Sequence, residues 1–160
     1  MAAADFFLKI DGVDGESQDA THKGSIEIKG WSWGEHNQGT FSSISGGGAG
    51  KVNMGDFNFS QLFQCSSPEL AVRCATGEHI KKAVLTCRKA GKEQREYLKI
   101  TMEDVLVSDY HTGGTPEGGT TDSISLNFTK ITWSYNKQKA DGSMEGWKNK
   151  GYDLKAQKAS

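Results

Sequence analysis

The feature that most constrains this chain is an alternation of apolar residues that changes face partway along three separate segments. Ile26 and Ile28 occupy even positions, whereas Trp31 and Trp33 occupy odd ones, and the change falls at Gly30. Leu98, Ile100 and Met102 are even, then Val105 and Val107 are odd; Ile124, Leu126 and Phe128 are even, then Ile131, Trp133 and Tyr135 are odd. A period-2 pattern cannot change its buried face without an extra residue or a sharp bend, and glycine suits such a point. Long strands that swap faces midway suggest strands turning a corner, one half serving each of two adjacent walls. Burial of a strand on both faces is the competing account. The reading adopted is all-β: a β-barrel of two packed sheets, mainly strand, with one short flanking helix and a long extended loop.

The remaining segments fit that plan. Phe6, Leu8 and Ile10 alternate before a turn at Asp11–Gly15. Ser67 as cap, Pro68 at the first helical position, Glu69 in the first turn and Gly77 at the end mark a helix of roughly two to three turns. Its apolar face is Leu70, Ala71, Cys74 and Ala75, and it is expected to plug one end of the barrel. Ala83, Leu85 and Cys87 begin a hairpin that turns near Gly91 and returns over Tyr97–Glu103. Thr112–Asp122 reads as a glycine-rich loop, Asp141-Gly142-Ser143 as a turn before a final strand near Gly146–Leu154, and residues 155–160 as a flexible polar tail. The whole of 1–160 is read as one domain. The segment 35–51 stands apart: apart from Phe41 and Ile44 its length up to Gly50 is nearly devoid of apolar residues, and it ends in Gly46-Gly47-Gly48-Ala49-Gly50-Lys51. Long connections of this kind are functional or disordered, and a partner surface could order it.

Charge narrows the functional classes. Nineteen Lys and Arg against twenty Asp and Glu leave a net charge of −1, without the basic excess of a nucleic-acid binder. No run is long enough to span a bilayer, and the start lacks the basic-then-apolar pattern of a signal peptide, so the expectation is a soluble protein made in the cytoplasm. Cys65, Cys74 and Cys87 read as free thiols, the last two structural and buried. The four histidines, His22, His36, His79 and His111, show no metal-ligand spacing, and no Cys-x-x-Cys occurs. Gly46–Lys51 is a poor phosphate loop, since Val52 follows the lysine and no helix is signalled. Ser43-Ile44-Ser45-Gly46 is not a nucleophile elbow, and no carboxylate pair is singled out. No catalytic residue, cofactor or metal is expected. Trp31 and Trp33 could form a platform for sugars or unpaired bases; the stronger reading places both in the core with Trp133 and Phe128, leaving Ser32 to face solvent or a lumen. Six lysines from Lys137 onward make the C-terminal region mildly basic, as expected of a solvated edge.

The order of motifs adds a resemblance. Asp11-Gly12-Val13-Asp14-Gly15-Glu16-Ser17 and Thr21-His22-Lys23 come first, followed by Trp31-Ser32-Trp33-Gly34, the Gly46–Lys51 run, and the Ser67-Pro68 helix ending Gly77-Glu78-His79. Leu85–Gly91, Tyr97–Ile100, Asp104–Ser108, Leu126-Asn127-Phe128 and Gln138–Gly142 complete the series. Taken together, from Phe6 to about Leu154, they resemble the haemolysin-coregulated protein (Hcp) family of type VI secretion systems. The resemblance implies a structural inner-tube subunit that forms homo-hexameric rings. Rings would stack into a tube with a spike protein and a contractile sheath as partners, and small effector proteins would ride in the lumen. It further implies export without a signal peptide, a lumen-facing Ser32, and a ring-stacking loop that includes Ser42, Ser43, Ser45, Gly46, Gly47, Gly48, Gly50 and Lys51. The alternative is a monomeric β-barrel module binding carbohydrate or single-stranded nucleic acid through Trp31 and Trp33.

Overall fold

The computed structural model describes residues 3–39 and 49–160. Eleven strands and one helix follow in chain order: β1 (Ala4–Ile10), β2 (Ile26–Glu27), β3 (Gly30–Ser32), β4 (Glu35–Gly39), β5 (Ala49–Met54), β6 (Phe57–Leu62), α1 (Ser66–Thr76), β7 (Ile80–Lys89), β8 (Glu96–Thr115), β9 (Gly119–Gln138), β10 (Met144–Asp153) and β11 (Lys158–Ala159). Nine of the strands form one sheet in the order β11-β10-β9-β8-β7-β1-β2, with β6 also on β9 and β3 on β6, while β4 and β5 form a separate two-stranded hairpin. All ladders are antiparallel.

The face changes have two physical origins. Along β7, β8 and β9 they lie on one line. Met102 pairs with Ile131 and Val105 with Phe128, and all four are buried; Glu103 and Lys130 between them are not. The same line crosses β7, where Ile80 and Ala83 are buried and Lys81 and Lys82 are exposed. The three strands are therefore creased together. Asp104 sits at the crease with φ of 53°, a left-handed conformation that Asp tolerates better than a branched residue. His79 Nδ1 and Lys155 Nζ donate to its carboxylate at 2.8 and 3.3 Å, and these bonds, His79 foremost, hold it below the ordinary carboxylate range.

The change at Gly30 is a handover rather than a bulge. β2 pairs with β1, whereas β3 pairs with β6. Ile28 N–H donates to Phe6 O at 3.1 Å and Lys29 N–H to Ser60 O at 2.8 Å, so neighbouring residues bind opposite neighbours. The sheet thus starts on β2 and ends on β3, two pieces of one stretch, around a core that includes Leu8, Phe57, Leu85, Met102, Leu126 and Ile131. The all-β fold with one helix is as expected, but the barrel wall is one nine-stranded sheet curling over itself rather than two packed sheets, and its ladder stays open between those pieces.

Other expectations shift in detail. The helix starts at Ser66, with Cys65 at its N-cap and no side-chain cap bond; Gly77, at φ of 69°, closes it by donating to Arg73 O. α1 lies against β8 through buried Leu70 and half-buried Cys74, whereas Ala75 is exposed. Residues 112–122 are not a loop: β8 and β9 continue as a hairpin to Thr115 and Gly119. Tyr135 is 52% exposed, and Ser134 and Asn136 are the buried residues there. The tail folds back as β11, with Gly151 and Ser160 exchanging backbone hydrogen bonds at 3.1 and 2.9 Å. A Cβ at Gly151 would lie 2.7 Å from Ser160 Oγ, so glycine permits this close approach.

Candidate functional site: a polar wall on β3, β6, β9 and β8

On four neighbouring strands most inward residues are large and apolar and most outward ones are polar, with Leu62 on β6 and Leu106 on β8 as the apolar exceptions. Phe57, Phe59, Ile124 and Leu126 are buried, whereas Ser32, Asn58, Ser123 and Asn127 are exposed. Register aligns the outward residues in rows: Gly30, Ser60, Ser123 and His111 in one, Ser32, Asn58, Ser125 and Asp109 in the next. The side chains tie to one another. Ser125 Oγ donates to Asn58 Oδ1 at 2.5 Å, Ser108 Oγ to Asp56 Oδ2 at 2.6 Å and Asn127 Nδ2 to Asp56 Oδ1 at 2.8 Å. Ser32 lies at one margin of this wall, in a shallow groove of about 290 Å³ with Gly30, Trp31, Asn58, Phe59, Ser60 and Ser123. The surface offers hydroxyls and amides. His111 and Asp109, 3.4 Å apart, are both largely exposed, an arrangement of a solvated pair rather than a catalytic dyad.

The tryptophans sit on the other side of the sheet from Ser32. Trp31 is half-buried, stacked on Phe57 with centroids 6.0 Å apart and edge-on to Phe6. Trp33, also half-buried, meets half-buried Trp133 at 5.2 Å and donates its Nε1–H to Gly55 O at 3.0 Å. Phe128 is fully in the core. Each indole of the Trp31-Ser32-Trp33 element is already engaged by an aromatic ring of its own chain, an arrangement that does not favour a stacking platform for sugars or bases.

Two buried polar clusters brace the fold around the wall. Behind it, Asp122 on β9 accepts from Ser67 Oγ at 2.5 Å, Gln61 Nε2 at 2.9 Å and Tyr110 Oη at 3.1 Å. Burial alone would push this carboxyl up, but the donors, Ser67 first, outweigh it and hold it below the ordinary range. Ser67 thus anchors the helix start to β9 instead of capping it. Elsewhere Arg88 is buried over the Phe7 ring and donates to Asp19 at 2.6 and 2.9 Å and to Asp5 at 3.2 Å. Asp19 also caps Thr21 and His22 N–H, and it lies far below the usual carboxylate range, chiefly through Arg88. This network pins the 11–25 loop to β1 and β7.

Of the loop residues singled out in the sequence, Ser42, Ser43, Ser45, Gly46, Gly47 and Gly48 lie outside the described residues. Gly50 and Lys51 fall in β5, where Asn37 Nδ2 donates to Gly50 O at 2.9 Å and a Cβ on Gly50 would collide with Gln38 O. Among the described residues no cluster of three metal-ligating side chains occurs. Cys87 is buried and its thiol is pushed up to about 12 by desolvation, against a smaller effect of Trp31; Cys74 is half-buried and Cys65 exposed. The rest of the wall beyond Ser32 was legible as the polar phase of Phe57–Leu62 and Asp122–Phe128, but only the pairing register shows that these phases share one face.

Comparison with known proteins places this architecture in a class. Solved structures with the same fold include the Hcp1 crystal structure from Salmonella typhimurium, 34% identical with a TM-score of 0.81, covering 99% of this chain and 100% of that one. A structure described as a type six secretion system protein is 28% identical, with a TM-score of 0.92 over 99% and 100% of the two chains. A type VI secretion system effector from Yersinia pestis is 33% identical, with a TM-score of 0.75 over 93% and 99%. The class defined is that of all-β type VI secretion proteins. The profile of the family described as "Type VI secretion system effector, Hcp" matches residues 7–135, and Protein hcp1 of Pseudomonas aeruginosa is 46% identical over 146 residues, 90% of each chain. The chain belongs to the Hcp family.

Proposed function

We propose that this chain is the inner-tube subunit of a type VI secretion system, closing into homo-hexameric rings whose lumen is lined by the polar wall. The observation that carries the reading is the wall itself. It is four strands wide and polar on its outward face, and both of its edges, β3 on one side and the Leu106–Thr115 half of β8 on the other, lack a ladder partner among the described residues. Unpaired edges are templates for another chain, and joining β3 of one copy to β8 of the next is a heterologous contact that closes by rotation. Serines and asparagines, with Asp56, Asp109 and His111 among them, would face the bore, where short polar side chains leave room for small effector proteins and bind them by hydrogen bonds.

On this reading the rings stack, with residues 35–51 reaching toward the next ring, and the tube works with a spike protein and a contractile sheath. On the same reading the chain is made in the cytoplasm and leaves the cell through the type VI system. No helix among the described residues is long and apolar enough to cross one. The function is mechanical and needs no catalytic group or cofactor. Ser32→Cys, in a Cys65→Ser background, tests the lumen assignment. In assembled protein a small maleimide should label Cys at position 32 and a long polyethylene-glycol maleimide should not. Equal labelling by both reagents contradicts a lumen position.

A further inference from the structure

The polar wall is sorted by charge as well as by size. Of the nineteen lysines and arginines in the chain, none falls within Gly30–Ser32, Asp56–Leu62, Leu106–Thr115 or Gly119–Asn127, the stretches that build it. Two carboxylates do stand on its outward face. Asp56 accepts from Ser108 Oγ at 2.6 Å and from Asn127 Nδ2 at 2.8 Å, two neutral donors of the wall itself. Asp109, in the row of Ser32, Asn58 and Ser125, is 54% exposed, and among the described residues its one ion-pair partner is His111 at 3.4 Å. At the ends of the wall stand Lys29 and Lys130, each with carboxylates beside it. Lys29 shares a depression with Glu16 and Glu27 next to Leu62, and Lys130, at the crease, faces Glu103 at 3.8 Å.

A surface of hydroxyls and amides alone does not sort proteins by charge; one that adds carboxylates and holds no lysine or arginine does. On the ring reading above, on which this inference rests, every copy adds Asp56 and Asp109 to the same bore. An enclosed channel lined by one sign of charge between low-dielectric walls focuses the field and gathers the opposite sign. We infer that the bore selects effectors by positive charge, and that Asp109 sets the preference by meeting their lysines and arginines. Asp109 takes this part because one of its carboxylate oxygens has no partner among the described residues, whereas both oxygens of Asp56 are engaged by the chain itself. It also lies on the open half of β8, so in the closed ring it stands next to β3 of the following copy. The same carboxylates repel acidic proteins, so exclusion contributes to the choice as much as attraction does.

The probe is cytochrome c, a small basic protein, compared with the same protein after acetylation of its lysines, which keeps its size and removes positive charge. Sedimentation velocity read at the haem absorbance follows the probe, and at the protein absorbance follows the rings. The native probe should travel with wild-type rings at low salt and leave them as salt rises, and the acetylated probe should stay free. Asp109→Asn should keep the ring and weaken uptake by about tenfold, several exposed pairs being lost at once. Glu145→Gln, an equal change of charge on exposed β10, should leave uptake unchanged. Ser123→Lys should abolish uptake while Ser123→Glu, of similar bulk on the same wall position, retains it, which separates charge from crowding. Rings that hold both probes equally or neither, undiminished uptake in Asp109→Asn rings, equal losses in Asp109→Asn and Glu145→Gln, or equal behaviour of the two Ser123 variants would overturn the inference and leave the ring standing. Wild type sedimenting as a single chain contradicts the ring reading itself, and the inference falls with it.

Discussion

At the scale of single residues, the structure depends on charges whose partners no local pattern reveals. Arg88 reads in the sequence as the outward residue of an alternating strand, yet it is buried, because Asp19, Asp5 and the Phe7 ring come from a distant loop and strand. Asp19 and Asp122 both titrate lower folded than unfolded, so the unfolded chain binds more protons in acid and stability rises with pH there. The stabilisation is complete above the ordinary carboxylate value of about 4 and is lost as pH falls below it. Urea midpoints measured from pH 6 to pH 2 should fall along this course, and Asp19→Asn should lower the midpoint at pH 6 while flattening the acid slope. An unchanged slope in that variant would remove Asp19 from the account. Ser32 was legible as the outward residue between two tryptophans. Its assignment predicts that Ser32→Trp keeps the oligomeric mass of wild type on light scattering while loading of small effectors falls; a collapse to single chains would place the Ser32 side chain inside the β3–β8 joint and contradict its facing the lumen.

At the scale of elements, the face changes were legible because burial writes a period-2 signal wherever one side of a strand meets the core. Their cause was not. The same signature arises from the crease at Asp104 and from the handover between β2 and β3, and only the ladders distinguish them. Residues 112–122 were misread for the converse reason: from His111 to Thr120 the hairpin is exposed on both faces, so no apolar alternation marks it. Ser67 looked like a cap because the Ser-Pro-Glu pattern fits one, but its hydroxyl is taken by Asp122. At the crease, Asp104→Val puts a branched residue in the left-handed region and removes the acceptor for His79 and Lys155. It should cost about 1–3 kcal/mol in denaturant unfolding, whereas Asp104→Gly should cost less by relieving the backbone term. Equal losses in the two variants would show that the conformation is not what Asp104 supplies.

At the scale of the whole molecule, one sheet curls so that its apolar face encloses the core and part of its outer face becomes a band of serine and asparagine. Such a band is an odd surface for a solitary protein: it has two open strand edges, one of them, β3, with no charged residue and the other guarded only by Asp109 and His111. Closure with further copies resolves both features, and the near-neutral net charge of −1 leaves little self-repulsion to oppose it. The most direct measurement is the mass of the purified protein by light scattering coupled to size exclusion. A species of about six times the 17.4 kDa chain mass is the predicted result. A single chain persisting at micromolar concentration would contradict it.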